Sequence, residues 1–142
     1  EGAAAALGIT LIPVTVRGSG YVDAFAQIAA ERAQGLFVLS SPILTRDRAQ
    51  ILDLAAKHRI PAMYQWREHT EAGGLMSYGT NLTWVSQRIA SYVDRILKGA
   101  KPGALPVEQP TTYELVINLK TAKALGLTIP PAVLTRADEV IQ

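Results

Sequence analysis

Apolar positions along this chain switch between two spacings, and the switching marks out alternating strands and helices. Short β-branched or wholly apolar runs predict strands at Ile9 to Val16, Leu36 to Leu39, Pro61 to Gln65, Leu75 to Tyr78 and Tyr113 to Leu119. Between them apolar residues recur at helical spacing. Val22, Phe25, Ala26, Ala29 and Ala33 share a face over Tyr21 to Gln34, and Ile51, Leu52, Ala55 and Ala56 point inward over Arg46 to Arg59. The longest stripe is Leu82, Val85, Ile89, Val93, Ile96 and Leu97, from the N-cap candidate Asn81 to about Lys98. A small helix is expected over Lys120 to Leu125, and a last one over Ala132 to Ile141 after the reset at Ile129-Pro130-Pro131.

Glycines and prolines punctuate this reading. Gly8 sits where the helix-favouring Ala3 to Leu7 needs a C-cap, and Gly35 and Gly99 end two further helices. Pro13 removes a backbone donor from the first strand, which argues for an edge position or a bulge there. Leu36 to Leu39 is apolar throughout, as in a strand buried on both faces of a parallel sheet. Trp66 to Gly74 is a polar loop with room for one helical turn, and Gly99 to Pro110 is a connector with few apolar anchors. The alternation predicts an α/β fold: a three-layer α/β/α lobe with a mostly parallel sheet.

Composition narrows the function. With 49% hydrophobic and 18% charged residues, the chain can bury a real core and is not a disordered segment. A net charge of +2, with scattered Lys and Arg, gives no basic patch for nucleic acid. The absence of cysteine excludes disulfides, thiolate nucleophiles and Cys-ligated zinc, and is compatible with an oxidising compartment. No apolar run reaches the roughly 20 residues that span a bilayer. The opening, Glu1-Gly2-Ala3-Ala4-Ala5-Ala6-Leu7-Gly8, has neither a basic n-region nor a long apolar h-region and reads as the tail of a helix entered in mid-course.

Signatures of catalysis are missing. There is no P-loop and no G-x-G-x-x-G after a strand, and Gly18-Ser19-Gly20 reads as a tight turn before a helix. Its minority alternative is a turn whose N–H groups meet an anion. Ser40 and Ser41 end an apolar strand but lack the flanking glycines of a nucleophile elbow, so hydroxyls that bond a ligand or cap the next helix fit them better. His58 lies at the polar end of a helix, where a cation is favourable, and His69 lies in a loop between Glu68 and Glu71. Neither belongs to an H-E-x-x-H pattern, so no metal and no cofactor is expected. The cluster Tyr64, Gln65, Trp66, Arg67 and Glu68 follows a sheet strand, where open α/β sheets bind ligands, and Tyr78-Gly79-Thr80-Asn81 ends the next strand. Aromatic, amide and charged groups in these places can stack on a ring and pair with a carboxylate or amine; equally, Trp66 can cover the core edge while Arg67 and Glu68 are solvated. Trp84 is expected to pack on its own helix.

Several segments in order resemble one family. Ala55-Ala56-Lys57-His58-Arg59-Ile60-Pro61-Ala62 looks like the helix-to-strand turn of ABC-transporter substrate-binding proteins whose lobes resemble the type I periplasmic binding proteins. Glu71-Ala72-Gly73-Gly74-Leu75-Met76-Ser77-Tyr78-Gly79 is similar to a second element of that family. Ile96 to Pro102 with Leu105 to Pro110 resembles its last long helix and connector, and Leu105 to Glu139 as a whole looks like its C-terminal end. The resemblance covers essentially the whole chain and implies a bacterial solute receptor, not an enzyme.

By that resemblance, residues 1–79 belong to the second lobe of a two-lobed receptor and lack its first strand. Residues 80–112 supply a helix and connector belonging to the first lobe and hinge, and residues 113–142 return to complete the second lobe. Such a half receptor exposes a lobe interface and a sheet edge, which favours a homodimer or strand exchange. The mechanism implied is hinge closure on a small solute, then docking on an ABC permease at the periplasmic or extracellular face, with or without a lipid anchor on the full-length protein. The ligand-facing residues implied are Arg17, Gly18, Ser40, Ser41, Gln65, Trp66, Glu68, Tyr78 and Asn81. Characterised members take aromatic amino acids or other organic acids. Many carry an acidic residue where this chain has Ser40-Ser41, which tilts the expectation towards carboxylates or neutral aromatics. An effector domain of a transcriptional regulator, or a small α/β hydrolase, is the alternative.

Overall fold

In a computed structural model, residues 2–142 are described. They form one five-stranded sheet in the order β1-β2-β3-β4-β5, with β1 at Leu36–Val38, β2 at Ala62–Tyr64, β3 at Met76–Thr80, β4 at Tyr113–Asn118 and β5 at Glu139–Ile141. β1, β2 and β3 run parallel, β4 is antiparallel to β3, and β5 is parallel to β4. The sheet is therefore mostly parallel, as expected. The helices are α1 (Gly2–Ala6), α2 (Tyr21–Ala30), α3 (Pro42–Arg46), α4 (Arg48–Lys57), α5 (Arg67–Glu71), α6 (Leu82–Leu97), α7 (Leu119–Leu125) and α8 (Pro131–Leu134).

The main core lies where α2 and α4 meet one face of β1 and β2. Tyr21, Phe25, Ile28, Ile51, Leu54, Ala55, Val38 and Tyr64 all belong to it. Period-2 alternation runs through β3 and the start of β4, where Ser77, Glu114 and Val116 are buried and Tyr78 and Tyr113, on the other pleat, are exposed, but it stops at Ile117, which is buried on that second pleat. β1 is an edge strand with Phe37 and Leu39 in solvent, so its apolar run does not mean burial on both faces.

Four expectations change. Ile9 to Val16 pairs with no strand among the described residues and is irregular chain; Pro13 offers no donor, yet Val14 and Val16 still pack on the core. The terminal helix stops at Leu134, and Glu139–Ile141 is β5 instead. Asp138 makes the switch, its backbone N–H donating to the Leu115 carbonyl (2.9 Å) and its carboxylate accepting from the Leu115 N–H (2.7 Å). The inward face of α2 is Tyr21, Ala24, Phe25 and Ile28, with Val22 outside, because the buried Tyr21 hydroxyl reaches Asp47 (2.8 Å) and sets the helix rotation. On α4, Leu54 is buried and Ala56 is exposed. Glu1 lies outside the described residues.

α6 begins as its sequence demands: Asn81 caps it through an Oδ1 that accepts from the Trp84 N–H at 2.8 Å. The connector folds back along it. Arg88 donates to Glu108 (2.8 Å) and Tyr92 donates to the Pro106 carbonyl (2.6 Å). Still, no residue of α6 is buried.

Candidate functional site

Three parallel strands deliver their C-terminal ends to one rim, and β4 begins beside them. The turn after β1 carries Ser40 and Ser41, the turn after β2 carries Gln65 and Trp66, and β3 ends at Thr80-Asn81. Two of these turns touch through side chains: the Trp66 Nε1–H donates to Ser40 Oγ at 3.1 Å. The indole is half-buried, so one edge is tied down while the ring borders the rim. Ser41 occupies the N-cap of α3 without a side-chain cap bond.

β2 and β3 approach closely just before the rim. A Cβ on Gly79 would lie 1.9 Å from the Gln65 carbonyl oxygen, so only glycine lets β3 pass there. That contact fixes where Gln65 and Trp66 leave the sheet.

Arg67 opens α5 and is the most heavily paired side chain of the rim. Its guanidinium donates to Glu71 (2.8 Å), Glu114 (3.0 Å) and Glu139. Glu71 foremost, then Glu139 and Glu114, hold its pKa above the ordinary value. Glu68, in the first turn of α5, is exposed and makes no ion pair among the described residues. Asn81 spends both ends of its amide, Oδ1 on the α6 cap and Nδ2 on Glu114 (2.9 Å).

Tyr78 stacks on Tyr113, ring centroids 5.8 Å apart, and both are half exposed. They lie on one pleat at the rim end of β3 and β4. Arg17 and Gly18 sit in the exposed turn before α2, with Gly18 at φ 58°. No hydrogen bond or ion pair joins them to the other rim residues among those described. The sequence reading therefore assembles as Ser40, Gln65, Trp66 and Asn81 around one edge, with Tyr78 beside it and Arg17 and Gly18 apart.

Sequence reasoning passed over Glu114 and Tyr113. The signal for Glu114 was a lone carboxylate one residue into an apolar strand. His69 was expected in an open loop; instead it is buried in α5 and stacks on Tyr64 at 5.0 Å. Burial lowers its pKa and pushes the Tyr64 hydroxyl up to about 12.

Two concavities lie away from the rim. One of about 130 Å³ separates α4 from α7 at Leu52, Ala56 and Ala124, and one of about 460 Å³ lies where α2 and α4 end at Arg32 and His58. Neither includes Ser40, Gln65, Trp66 or Asn81. Among the described residues no group of three or more His, Cys, Asp or Glu is placed to hold a metal, and no helix is long and apolar enough to cross a membrane.

Comparison with known proteins gives this geometry a family. Residues 2–141 match the ABC transporter substrate binding protein family, and the chain belongs to it. A conserved domain protein from Vibrio cholerae O1 biovar El Tor is similar, with 30% identity and a TM-score of 0.86 over 96% of this chain and 46% of that one. An ABC domain from Streptococcus pneumoniae, solved in complex with L-Trp, is 25% identical with a TM-score of 0.89 over 99% of this chain and 48% of its own. The ligand-free, open structure of a substrate-binding protein with adhesive properties from Clostridium difficile shares the fold, at 19% identity and a TM-score of 0.66 over 99% of this chain and 47% of its own. No curated protein matches. The chain spans about half the length of these structures.

Proposed function

We propose that this chain is part of a two-lobed solute receptor of an ABC uptake system and that its strand-end rim is one wall of the solute cleft. Residues 1–79 and 113–142 form the second lobe, and residues 80–112 form the α6 crossing and hinge. The carrying observation is the Trp66 indole, pinned to Ser40 at the C-terminal ends of β1 and β2, where open α/β sheets take their ligands. The exposed apolar stripe of α6 supports a partner surface on a first lobe, and the unpaired outer edge of β1 supports a further strand there.

The solute is a small organic molecule, with an aromatic ring stacking near Trp66. The Streptococcus pneumoniae neighbour, bound to L-Trp, supports this class. Ser40 and Ser41, where many members of the family carry an acidic residue, offer no charge for an ammonium group. Neutral aromatics and aromatic carboxylates therefore rank above free amino acids. Membership of the ABC transporter substrate binding protein family supports delivery to a permease at the periplasmic or extracellular face.

The test is thermal unfolding of the two-lobed protein with aromatic and branched amino acids, aromatic carboxylates and short fatty acids. A solute at 100 times its Kd adds about 2.7 kcal/mol to stability. An aromatic solute that shifts the midpoint, with the shift lost in Trp66→Ala, bears the reading out. A folded protein that no member shifts counts against it.

A further inference from the structure

Glu114 is where three separate segments meet on one oxygen. The residue follows Tyr113 at the start of β4 and is 8% exposed. Its Oε2 accepts from Arg67 Nη1 at 3.0 Å and from Asn81 Nδ2 at 2.9 Å. Arg67 directly follows Trp66, whereas Asn81 is the cap of α6. A backbone bond from the Asn81 N–H to the Thr112 carbonyl, 3.2 Å, runs alongside.

The Asn81 amide is planar, with its oxygen fixed by the Trp84 N–H and its nitrogen by Glu114. Turning it to follow a displaced Glu114 breaks the cap, and keeping the cap breaks the bond to Glu114. Arg67 cannot drift freely either, since Glu71 and Glu139 hold the rest of its fork. A buried carboxylate that loses either donor pays for desolvation without return, so the two bonds favour moving together.

We infer that Glu114 is a positioning residue that couples the Trp66–Arg67 turn to the first turn of α6. The inference rests on the receptor reading for its purpose: solute contact at Trp66 then biases how α6 leaves the lobe, and by reciprocity the setting of α6 biases the turn that meets solute. The coupling itself needs no solute.

Amide hydrogen exchange on the 142-residue chain measures it. Trp84 reports the cap, and Val116 and Ile117, buried in β4, report the lobe as a whole. Arg67→Ala and Glu114→Gln each accelerate exchange at Trp84 by about fivefold or more, the lower end of ordinary coupling between sites. Arg67→Ala adds little once Glu114→Gln is present. The milder Arg67→Lys keeps a charge beside Glu114 and gives a smaller acceleration. Unchanged Trp84 exchange in Arg67→Ala overturns the inference. So does equal acceleration at Trp84, Val116 and Ile117, which makes the network merely structural. A failed solute screen beside an intact exchange pattern counts against the receptor reading alone; a successful screen without the pattern counts against Glu114 alone.

Discussion

α4 and α6 are both amphipathic, and only one of them buries side chains among the described residues. α4 is the shorter and the less regular in pattern, yet it buries Ile51, Leu54 and Ala55 against α2 and the sheet. α6 runs for 16 residues with an unbroken apolar stripe and buries nothing. Ile51 is 3% exposed, whereas Ile89 is 59% and Val93 50% exposed. Periodicity states that a face needs a partner; it does not state where the partner is. In α4 the partner is α2 and the chain's own sheet, whereas the described residues bury none of α6.

The largest expected effect tests that contrast directly. Ile51→Ala removes a fully packed side chain and costs about 2–5 kcal/mol. Ile89→Ala on the same chain stays within about 0.5 kcal/mol, as for other surface changes. Denaturant melts of the two variants decide it. A large loss at Ile89 breaks the comparison, because α6 would then be docked in this chain. Added back to the two-lobed protein, Ile89→Ala should become destabilising, which sharpens it.

A second substitution probes the rim side of the sheet. Gly79→Ala drives a methyl into the Gln65 carbonyl and must push β2 from β3. The backbone has no flexible end to give way, so the cost is about 1–3 kcal/mol or more. A Trp66 emission change should accompany it, since Trp66 follows Gln65 immediately. An unchanged melt would mean that the two strand ends separate freely.

How much of this was legible in the sequence depends on the range of the forces. Asn81 as a cap, the bounds of α7 within a residue and the strands at Leu36–Val38, Ala62–Tyr64 and Met76–Thr80 rest on local chemistry, and these hold. What escaped depends on partners distant in the chain. Ile9 to Val16 has strand-forming residues but no paired neighbour among the described residues. Glu139 to Ile141 looked helical until β4 offered it an edge. At the rim, the residue types after β1 and β2 were readable, but their joining was not: Ser40 and Trp66 are 26 positions apart. Glu114 gains its meaning only from Arg67 and Asn81, each more than 30 positions away.

The buried His69 offers a smaller test. Its ring is buried, and neither nitrogen has a hydrogen-bond partner among the described residues. Burial lowers its pKa, with a smaller push the same way from Arg48, and outweighs the raising effects of the Trp66 backbone and Glu68, so the net shift is downwards from 6.5. The folded state therefore binds this proton less readily than the unfolded one. Its stabilising contribution is full above about pH 6.5 and is lost as pH falls below that. His69→Phe keeps an aromatic ring on Tyr64 and removes two unpaired polar atoms, so it should be neutral or stabilising at pH 7. It should also flatten the decline in melting temperature between about pH 6.5 and 5. A steeper decline in the variant would place the acid sensitivity elsewhere.

The smallest effect contrasts two surface carboxylates, one on each side of the comparison. Asp47 accepts from Arg46 at 2.6 Å and from the buried Tyr21 hydroxyl at 2.8 Å, at the junction of α3 and α4. Arg46 first, and Tyr21 second, bring its pKa down from 3.8 to about 2. A depressed carboxyl stabilises the fold fully above its unfolded value, near pH 4, and that contribution is lost as pH falls through about 2. Asp47→Asn should lower the melting temperature slightly at pH 7 and converge on the parent near pH 2. Asp94 pairs with Lys98 at 2.9 Å on the exposed end of α6, with no third group to hold the pair. Asp94→Asn should therefore change nothing measurable at either pH. Equal effects at the two sites would mean that solvent screens Asp47 as fully as Asp94, and that the Tyr21 hydroxyl anchors α2 without help from its charge.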